Sequence, residues 1–256
     1  MRYEADRIDL GGVSLEVARW DGLGVPFLLL HEGLGSVSIW RDFPSRLAQA
    51  SGRPVVAWSR QGHGQSDRLT QARDMAYLDR EAATIPAVMD ALGLTTAHFL
   101  GHSDGASIAL LTAAAYPARV ASLIVEAPHV FVEDITLQGI RAAKKAFAET
   151  DLPAKLARHH ADPAHTFDAW CDTWLDPAFA RWNIEHRLPL INAPALLIQG
   201  EDDEYGSMEQ LRRIAQQLGG PLETLALASC GHVPHRERID TVLTTIVRFT
   251  EQPAAI

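Results

Sequence analysis

The pentapeptide at residues 101–105 holds a serine between two glycines, in the order Gly101-His102-Ser103-Asp104-Gly105. It fits the pattern G-x-S-x-G, in which the serine lies on a sharp turn between a strand and a helix. A serine hydroxyl is a weak nucleophile until a neighbouring base takes its proton, and it can then attack a carbonyl carbon. The pattern therefore indicates that Ser103 is a nucleophile for acyl transfer.

The residues on either side of this pentapeptide have the pattern that such a turn requires. Residues 97–100 are a short apolar run, whereas residues 106–116 are rich in Ala and Leu and stop before Pro117. The first run is typical of a buried strand and the second of a helix. Gly101 and Gly105 would let the two backbones pass closely, and the helix N-terminus would offer N–H groups to an oxyanion.

A serine nucleophile needs a base, and the base needs a carboxylate that orients it. Among the eleven histidines, His232 directly follows the last predicted strand, whereas His235 lies nearer to the final helix. We therefore expect His232 to be the base. The carboxylate should follow the preceding strand, where four acidic residues are consecutive: Glu201, Asp202, Asp203 and Glu204. Chemistry alone leaves the choice among these four open.

Several other histidines are expected to have structural roles. His31 and His102 lie in glycine-rich turns beside strand ends, where they would bond to backbone groups. His159, His160 and His165 are expected on the solvent-exposed face of a helical segment.

The positions of these residues depend on strands and helices that alternate along the chain. A β-hairpin is expected over residues 7–20, because the sequence alternates there around Gly11-Gly12. Buried strands are predicted at residues 25–30, 54–58, 97–100, 120–125, 195–198 and 222–227, and helices at residues 40–49, 76–92 with a kink at Pro86, 106–116, 208–218 and 239–249. This alternation predicts an α/β fold with a mostly parallel central sheet that helices cover on both faces.

Residues 130–190 interrupt the alternation. Their pattern predicts helices at residues 137–149, 154–160 and 167–174 and no strand, so we expect a helical lid inserted above the sheet. The predicted domains are therefore a core of residues 1–129 and 191–256 and a lid of residues 130–190. The insertion is rich in large apolar side chains, namely Phe131, Phe147, Phe167, Trp170, Trp174, Phe179 and Trp182. Most should pack the insertion onto the core, and a few should line a pocket.

The composition argues against several classes of function. The chain has 256 residues and a net charge of −9 without a basic run, which argues against nucleic acid as a partner. Cys171 and Cys230 lie far apart and outside any metal-binding spacing, so we expect no disulfide, no metal site and a cytoplasmic location. The charged residues 1–6 do not resemble a secretory signal, and no apolar run approaches the roughly 18 residues of a membrane span. The sequence carries no signal for an oligomeric state.

Further motifs follow the other predicted strands, namely His31-Glu32-Gly33-Leu34-Gly35-Ser36 with Trp40, residues 60–67 (RQGHGQSD), residues 198–203 (IQGEDD) and Gly231-His232. Together with the Ser103 turn, these motifs resemble the α/β-hydrolase superfamily over essentially the whole chain. The helical insertion is similar to the lid of its esterase, lactonase and carbon–carbon hydrolase branches. A serine at the turn argues against the haloalkane dehalogenase and epoxide hydrolase branches, which have an aspartate there.

The resemblance implies a catalytic triad of Ser103, Asp203 and His232. In this family the acid commonly stands three residues after the glycine that closes its strand, which favours Asp203 over Asp202. An acid after the preceding strand is a known variation of the family, and Glu126 is the corresponding residue here.

The resemblance also implies an oxyanion hole made of the backbone N–H groups of Gly33 and Asp104, with Leu34 as the alternative to Gly33. The chain departs from the family at Glu32, where a glycine usually follows the histidine. The predicted substrate-pocket residues are Glu32, Leu34, His129, Trp170 and Trp174.

The expected function is hydrolysis of an ester-like bond, in a carboxylic ester or lactone of a small molecule, with neither a metal nor an organic cofactor. One alternative is a carbon–carbon bond hydrolase acting on a vinylogous diketone, and another is a non-catalytic ligand receptor on the same scaffold. A carbon–carbon hydrolase would need cations for the substrate carboxylate, for which the insertion offers Arg141, Lys144, Lys145 and Arg158.

The two acids beside the expected oxyanion hole suggest a preference among substrates. Asp104 and Glu32 would disfavour anionic substrates and favour neutral or cationic ones. The simpler interpretation of Asp104 is an acid in the first turn of a helix, where the helix dipole favours it.

Overall fold

A computed structural model describes residues 4–251 and shows eight strands in one sheet. The strands are β1 (Glu4–Asp9), β2 (Ser14–Trp20), β3 (Phe27–Leu30), β4 (Val55–Trp58), β5 (Ala97–His102), β6 (Val120–Glu126), β7 (Ala195–Gly200) and β8 (Leu222–Leu227). Their order across the sheet is β1-β2-β4-β3-β5-β6-β7-β8. The pairs β1–β2 and β2–β4 are antiparallel, and the remaining pairs are parallel. The predicted α/β fold with a mostly parallel sheet is confirmed.

Helices follow most of the strands. They are α1 (Phe43–Ser51), α2 (Tyr77–Ala91), α3 (Asp104–Ala115), α4 (Asp134–Glu149), α5 (Leu152–Leu156), α6 (Pro163–Leu175), α7 (Met208–Gln217), α8 (Pro234–Glu237) and α9 (Ile239–Glu251). Within residues 4–251, none of these helices has the length and apolar character needed to cross a membrane.

Three helices differ clearly from the sequence prediction. The helix expected from residue 40 begins at Phe43, because Arg41 has φ +55°, a value that a continuous right-handed helix excludes. Pro44 lies in the first turn of α1, where its missing N–H costs little. The helix expected over residues 154–160 ends at Leu156, and the short helix α8 was not predicted.

The two faces of the sheet bury separate apolar clusters. In β3, Leu28 and Leu30 belong to one cluster, and Phe27 and Leu29 belong to the other. Successive strand residues point to opposite faces, so a strand covered on both faces is apolar throughout. Helices α2 and α3 contribute to the first cluster, and α1 and α9 contribute to the second.

The segment 130–190 contains α4, α5 and α6, together with one isolated β-bridge between Phe131 and Asn183. Its aromatic side chains pack on one another: the rings of Phe147 and Phe167 stack at a centroid distance of 4.0 Å. The division into a core domain and a lid stays a prediction. The predicted core domain begins at residue 1 and ends at residue 256, and residues 1–3 and 252–256 lie outside the described residues. The first residues of the charged N-terminus therefore also lie outside them.

Candidate active site

Ser103 stands between the end of β5 and the first residue of α3, with φ +53° and ψ −117°. Residues that carry a side chain rarely adopt this conformation, and such strain is found at functional sites. A Cβ on Gly105 would overlap the carbonyl oxygen of Leu30 in the neighbouring strand β3, so this close approach requires glycine. The turn places Ser103 at the carboxyl edge of the parallel strands, where ligands bind in α/β sheets.

His232 is held by one of the four consecutive acids. Its Nδ1 lies 2.9 Å from both carboxylate oxygens of Asp203, which is 5% exposed. Glu201, Asp202 and Glu204 are exposed, as expected for a solvated loop. The contact joins the acid that the family resemblance favoured to the histidine after the last strand.

The Asp203 carboxylate is ionised and acts as an acceptor. The backbone N–H of Tyr205 donates to it at 2.7 Å and the Gln199 side chain at 2.8 Å. Burial raises the pKa of Asp203, but the hydrogen bond and charge of His232 and the Tyr205 N–H outweigh it, so the pKa lies below its ordinary value. Because this carboxylate only accepts, the His232 proton is on Nδ1, and Nε2 can accept a proton.

Ser103 and His232 line one cavity of about 260 Å³, the catalytic cavity. Its other wall residues are Glu32, Gly33, Leu34, His102, Asp104, His129, Thr136, Ile140, Trp170, Trp174, Glu204, Tyr205 and Val233. The five predicted pocket residues are among them. In the described part of the chain no hydrogen bond joins Ser103 to His232, and in structures without substrate such bonds are often long.

The predicted oxyanion donors lie in the wall of the same cavity. Asp104 is the first residue of α3, so its N–H has no partner within the helix. Gly33 lies in the loop after β3, with the indole of Trp170 packed so closely that a Cβ on Gly33 would overlap it. Leu34, the alternative donor, also lines the cavity, and its carbonyl oxygen lies 2.9 Å from Nε2 of His160.

The Asp104 side chain belongs to a buried polar cluster. The Tyr77 hydroxyl donates to its Oδ2 at 2.9 Å, and a guanidinium nitrogen of Arg60 lies 3.8 Å from the same oxygen. Arg60 is 1% exposed, so a buried positive charge offsets this carboxylate. Burial raises the pKa of Tyr77, and the charge of Asp104 raises it further, so the phenol stays a donor. The interpretation of Asp104 as simply an acid in the first helical turn is therefore incomplete.

Glu32, the departure from the family pattern, faces His102. Its Oε2 lies 3.5 Å from Nδ1 of His102. Burial raises the pKa of Glu32, but the close contact with His102 and the charges of His102 and His31 outweigh it, so the net pKa is well below the ordinary value. Burial lowers the pKa of His102, but Glu32 outweighs it and the net pKa is raised. Nε2 of His102 lies 2.7 Å from the carbonyl oxygen of His232, so His102 supports the loop that carries His232.

Glu126, the alternative acid after β6, is paired with a different histidine. Its Oε2 lies 2.7 Å from Nδ1 of His235, and both side chains are buried. The His235 ring packs against Trp40 and Phe43 at centroid distances of 4.8 and 5.1 Å. Glu126 thus anchors the start of α8, and His232 is left with Asp203.

The family comparison agrees with this fold. A family model described as alpha/beta hydrolase fold matches residues 25–180. The chain belongs to the α/β-hydrolase family. The human protein named serine hydrolase BPHL is 28% identical over 208 residues, which are 77% of this chain and 69% of that protein.

Two further similarities are to enzymes named as dienoate hydrolases. A 2-hydroxy-6-oxo-6-phenylhexa-2,4-dienoate hydrolase of Burkholderia cepacia is 25% identical over 248 residues, covering 86% of this chain and 85% of that protein. The solved structure of the hydrolase with the same name from Rhodococcus sp. strain RHA1 has a TM-score of 0.84 at 14% identity, covering 98% of this chain and 99% of that one. At 14% identity, this structural similarity supports the fold alone.

Four wall residues of this α/β hydrolase had no role in the sequence prediction: Thr136, Ile140, Tyr205 and Val233. The Tyr205 ring lies 4.7 Å from the ring of His232, and its place two residues after Asp203 was the available signal. Thr136 and Ile140 are four residues apart on α4, a spacing that puts them on one helix face. Among residues 4–251, no group of three or more His, Cys, Asp or Glu side chains could hold a metal ion.

The expectation that His160 lies on the solvent-exposed face is wrong. His160 is 3% exposed, and its Nδ1 accepts a hydrogen bond from the Gly64 N–H at 3.0 Å. Because α5 ends at Leu156, helical spacing does not set the direction of this side chain. His160 instead ties the loops after β3 and β4 to the segment 130–190.

Two buried histidines predict a loss of stability in mild acid. Burial lowers the pKa of both His98 and His129 to about 4 from 6.5. Between those values the unfolded chain binds more protons than the folded one, so the free energy of unfolding falls as the pH falls from 6.5 towards 4. His98, at the far end of β5 from Ser103, permits a test that spares the cavity. Urea denaturation measures the free energy of unfolding at pH 7 and at pH 5. The decrease between these two pH values should be smaller by about 2 kcal/mol in His98→Asn than in the parent. An equal decrease in the two proteins would contradict this prediction.

Proposed function

We propose that this α/β hydrolase cleaves an ester-like bond, in a carboxylic ester or lactone of a small molecule, through an acyl-enzyme on Ser103. The observation that carries the proposal is the cavity of about 260 Å³ shared by Ser103, on its strained turn, and His232, whose Nδ1 is bonded to buried Asp203. The similarity to a protein named as a serine hydrolase supports it.

The proposed reaction begins when Oγ of Ser103 attacks the carbonyl carbon and Nε2 of His232 takes its proton. Asp203 stabilises the imidazolium, and the N–H groups of Gly33 and Asp104 donate to the oxyanion. The imidazolium then protonates the leaving oxygen, the ester bond breaks and the alcohol departs. A water molecule attacks the acyl-enzyme in the same way, its proton passes through His232 to Ser103, and the acid is released.

The wall of the catalytic cavity favours a compact acyl group. Its apolar members are Leu34, Ile140, Trp170, Trp174 and Val233. Its volume of about 260 Å³ is below the roughly 300–1,000 Å³ of common ligand pockets. Short esters and small lactones therefore fit this cavity better than long acyl chains.

Glu32 should make the enzyme discriminate against anionic esters. Its carboxylate is 22% exposed in the cavity wall, and its lowered pKa keeps it charged. His102, whose pKa is raised, offsets this charge only while it is protonated, so the discrimination should be strongest at alkaline pH. Asp104, in contrast, is offset by Arg60. The kcat/KM for a p-nitrophenyl butyrate should exceed that for the matched hemisuccinate by about tenfold, as expected for like charges near a protein surface. In Glu32→Gln the ratio should shrink. A parent enzyme that prefers the anionic ester would refute this proposal.

A carbon–carbon bond hydrolase is the second candidate, because the Burkholderia cepacia relative is named for a dienoate substrate. A dienoate carboxylate requires a cation, yet no Lys or Arg lines the catalytic cavity within residues 4–251. The four candidate cations of the sequence analysis, Arg141, Lys144, Lys145 and Arg158, are exposed, and Lys144 is paired with Asp172. The test is to incubate the protein with a vinylogous diketone acid and to follow the loss of its absorbance. A rate of diketone cleavage higher than the rate of ester cleavage would favour this candidate.

The proposed location is the cytoplasm, and the proposed partner is the small-molecule substrate. The two cysteines, Cys171 and Cys230, are unpaired and buried, which supports a reducing compartment.

A further inference from the structure

His160 lies in the chain between α5 and α6 and is buried between the loops that follow β3 and β4. Its Nδ1 accepts from the Gly64 N–H at 3.0 Å, and its Nε2 lies 2.9 Å from the carbonyl oxygen of Leu34. A backbone N–H only donates and a carbonyl oxygen only accepts, so the ring is neutral and carries its proton on Nε2. Burial lowers the pKa of His160 and outweighs the opposing effects of the Leu34 bond and the Glu32 charge, which agrees with a neutral ring.

One further hydrogen bond connects the Leu34 carbonyl to the peptide that carries a proposed oxyanion donor. In a trans peptide the C=O and the N–H that follows it point in opposite directions, and the peptides of this loop are trans. The Leu34 carbonyl that bonds to His160 therefore sets the direction of the Gly35 N–H. This N–H donates to the carbonyl oxygen of Glu32 at 3.0 Å. The Glu32 carbonyl in turn sets the direction of the Gly33 N–H.

The Gly33 N–H is available for an oxyanion. Gly33 lines the catalytic cavity, and its N–H has no hydrogen-bond acceptor in the described part of the chain. The Glu32 carbonyl oxygen also accepts from Nδ1 of His31 at 2.7 Å and from Nη2 of Arg60 at 2.9 Å. Three donors thus hold this carbonyl, and the Gly33 N–H points away from them. His160 secures the peptide of only one of the three donors.

We propose that His160 is a positioning residue of the oxyanion hole, holding the Gly33 N–H in the direction of the oxyanion that forms when Ser103 attacks. The inference rests on the function proposed for Ser103. His160 is not in the wall of the catalytic cavity, so it acts only through the loop after β3. The segment 130–190 thereby contributes to catalysis as well as to the cavity wall.

Two amide variants separate the contact with Leu34 from the contact with Gly64. His160→Gln can place a donor near the position of Nε2, whereas the shorter side chain of His160→Asn reaches only the position of Nδ1. We expect His160→Gln to keep kcat for p-nitrophenyl butyrate within about fivefold of the parent. His160→Asn should lower kcat at least about tenfold and change KM less than about twofold, because the oxyanion exists only during the reaction.

The rate per active site distinguishes positioning from stability. A fluorophosphonate probe counts the reactive serines in each preparation, and kcat is divided by that number. A loss of folded protein lowers the count and leaves kcat per site unchanged, whereas a misplaced donor lowers kcat per site. The neighbouring His159 provides the control, because its Nδ1 lies 2.8 Å from the Ser38 hydroxyl. His159→Asn should keep the parental kcat within about twofold.

Two outcomes would overturn the role of His160 alone. One is equal kcat per labelled site in His160→Asn and His160→Gln, and the other is a decrease in His159→Asn as large as that in His160→Asn. A parent protein that the probe does not label at Ser103 would refute the function proposed for Ser103, and the role of His160 with it.

Discussion

Ser103→Ala is expected to lower kcat for p-nitrophenyl butyrate by at least about 10⁴-fold, with an unchanged fold. The variant removes the oxygen that forms the acyl-enzyme, and the oxyanion donors that remain supply only a small part of the acceleration. The side chain is 8% exposed and is small, so the substitution leaves no large void. Initial rates at saturating ester, together with a thermal melt, measure both parts of the prediction.

The control for this variant is a serine outside the catalytic cavity. Ser45 donates to the backbone oxygen of Asp42 in the first turn of α1, and Ser45→Ala should keep the parental rate. A fluorophosphonate probe should label the parent protein at Ser103 and leave Ser103→Ala unlabelled, because the probe requires an activated serine hydroxyl. A non-catalytic receptor predicts no labelling of either protein, and parental turnover in Ser103→Ala would remove the serine mechanism.

Asp203→Asn is expected to lower kcat about 10⁴-fold while KM changes little. An asparagine of the same shape can donate to Nδ1 of His232, which would move the ring proton to Nε2 and prevent it from accepting the Ser103 proton. The carboxylate also offsets the imidazolium charge that forms during attack, and the amide does not. The measurement is the pair kcat and KM for one ester at a pH of about 8.

Two neighbouring acids serve as matched controls for Asp203. Asp202 is exposed, so Asp202→Asn should retain kcat within about twofold. Glu126 pairs with His235, so Glu126→Gln should lower the thermal stability and have little effect on kcat in the folded protein. If Asp202→Asn or Glu126→Gln loses activity and Asp203→Asn keeps it, the assignment of the acid is wrong.

The local signals in the sequence were sufficient for the fold and for the turn that carries Ser103. An apolar run before Gly101, a helix-forming run after it and two glycines define the Ser103 turn, because strand and helix formation depend largely on neighbouring residues. The order of the strands then places the loops with Asp203 and His232 at the same edge of a parallel sheet. Trp170 and Trp174 were also among the predicted pocket residues, and both line the catalytic cavity.

Long-range packing accounts for what the sequence left open. Four consecutive acids are chemically similar, and burial beside His232 is what distinguishes Asp203. Asp104 is offset by Arg60 and Tyr77, which approach it from other loops and helices, and no local pattern contains that information.

The close contact between Trp170 and Gly33 likewise could not be predicted from the sequence. They are far apart in the chain, and they meet because α6 packs onto the loop after β3. The chemical identities of the reacting groups can be inferred from residue types and their order along the chain. Their charge states and the size of the cavity arise from contacts between distant segments, since burial and dielectric environment exist only once those segments have packed together.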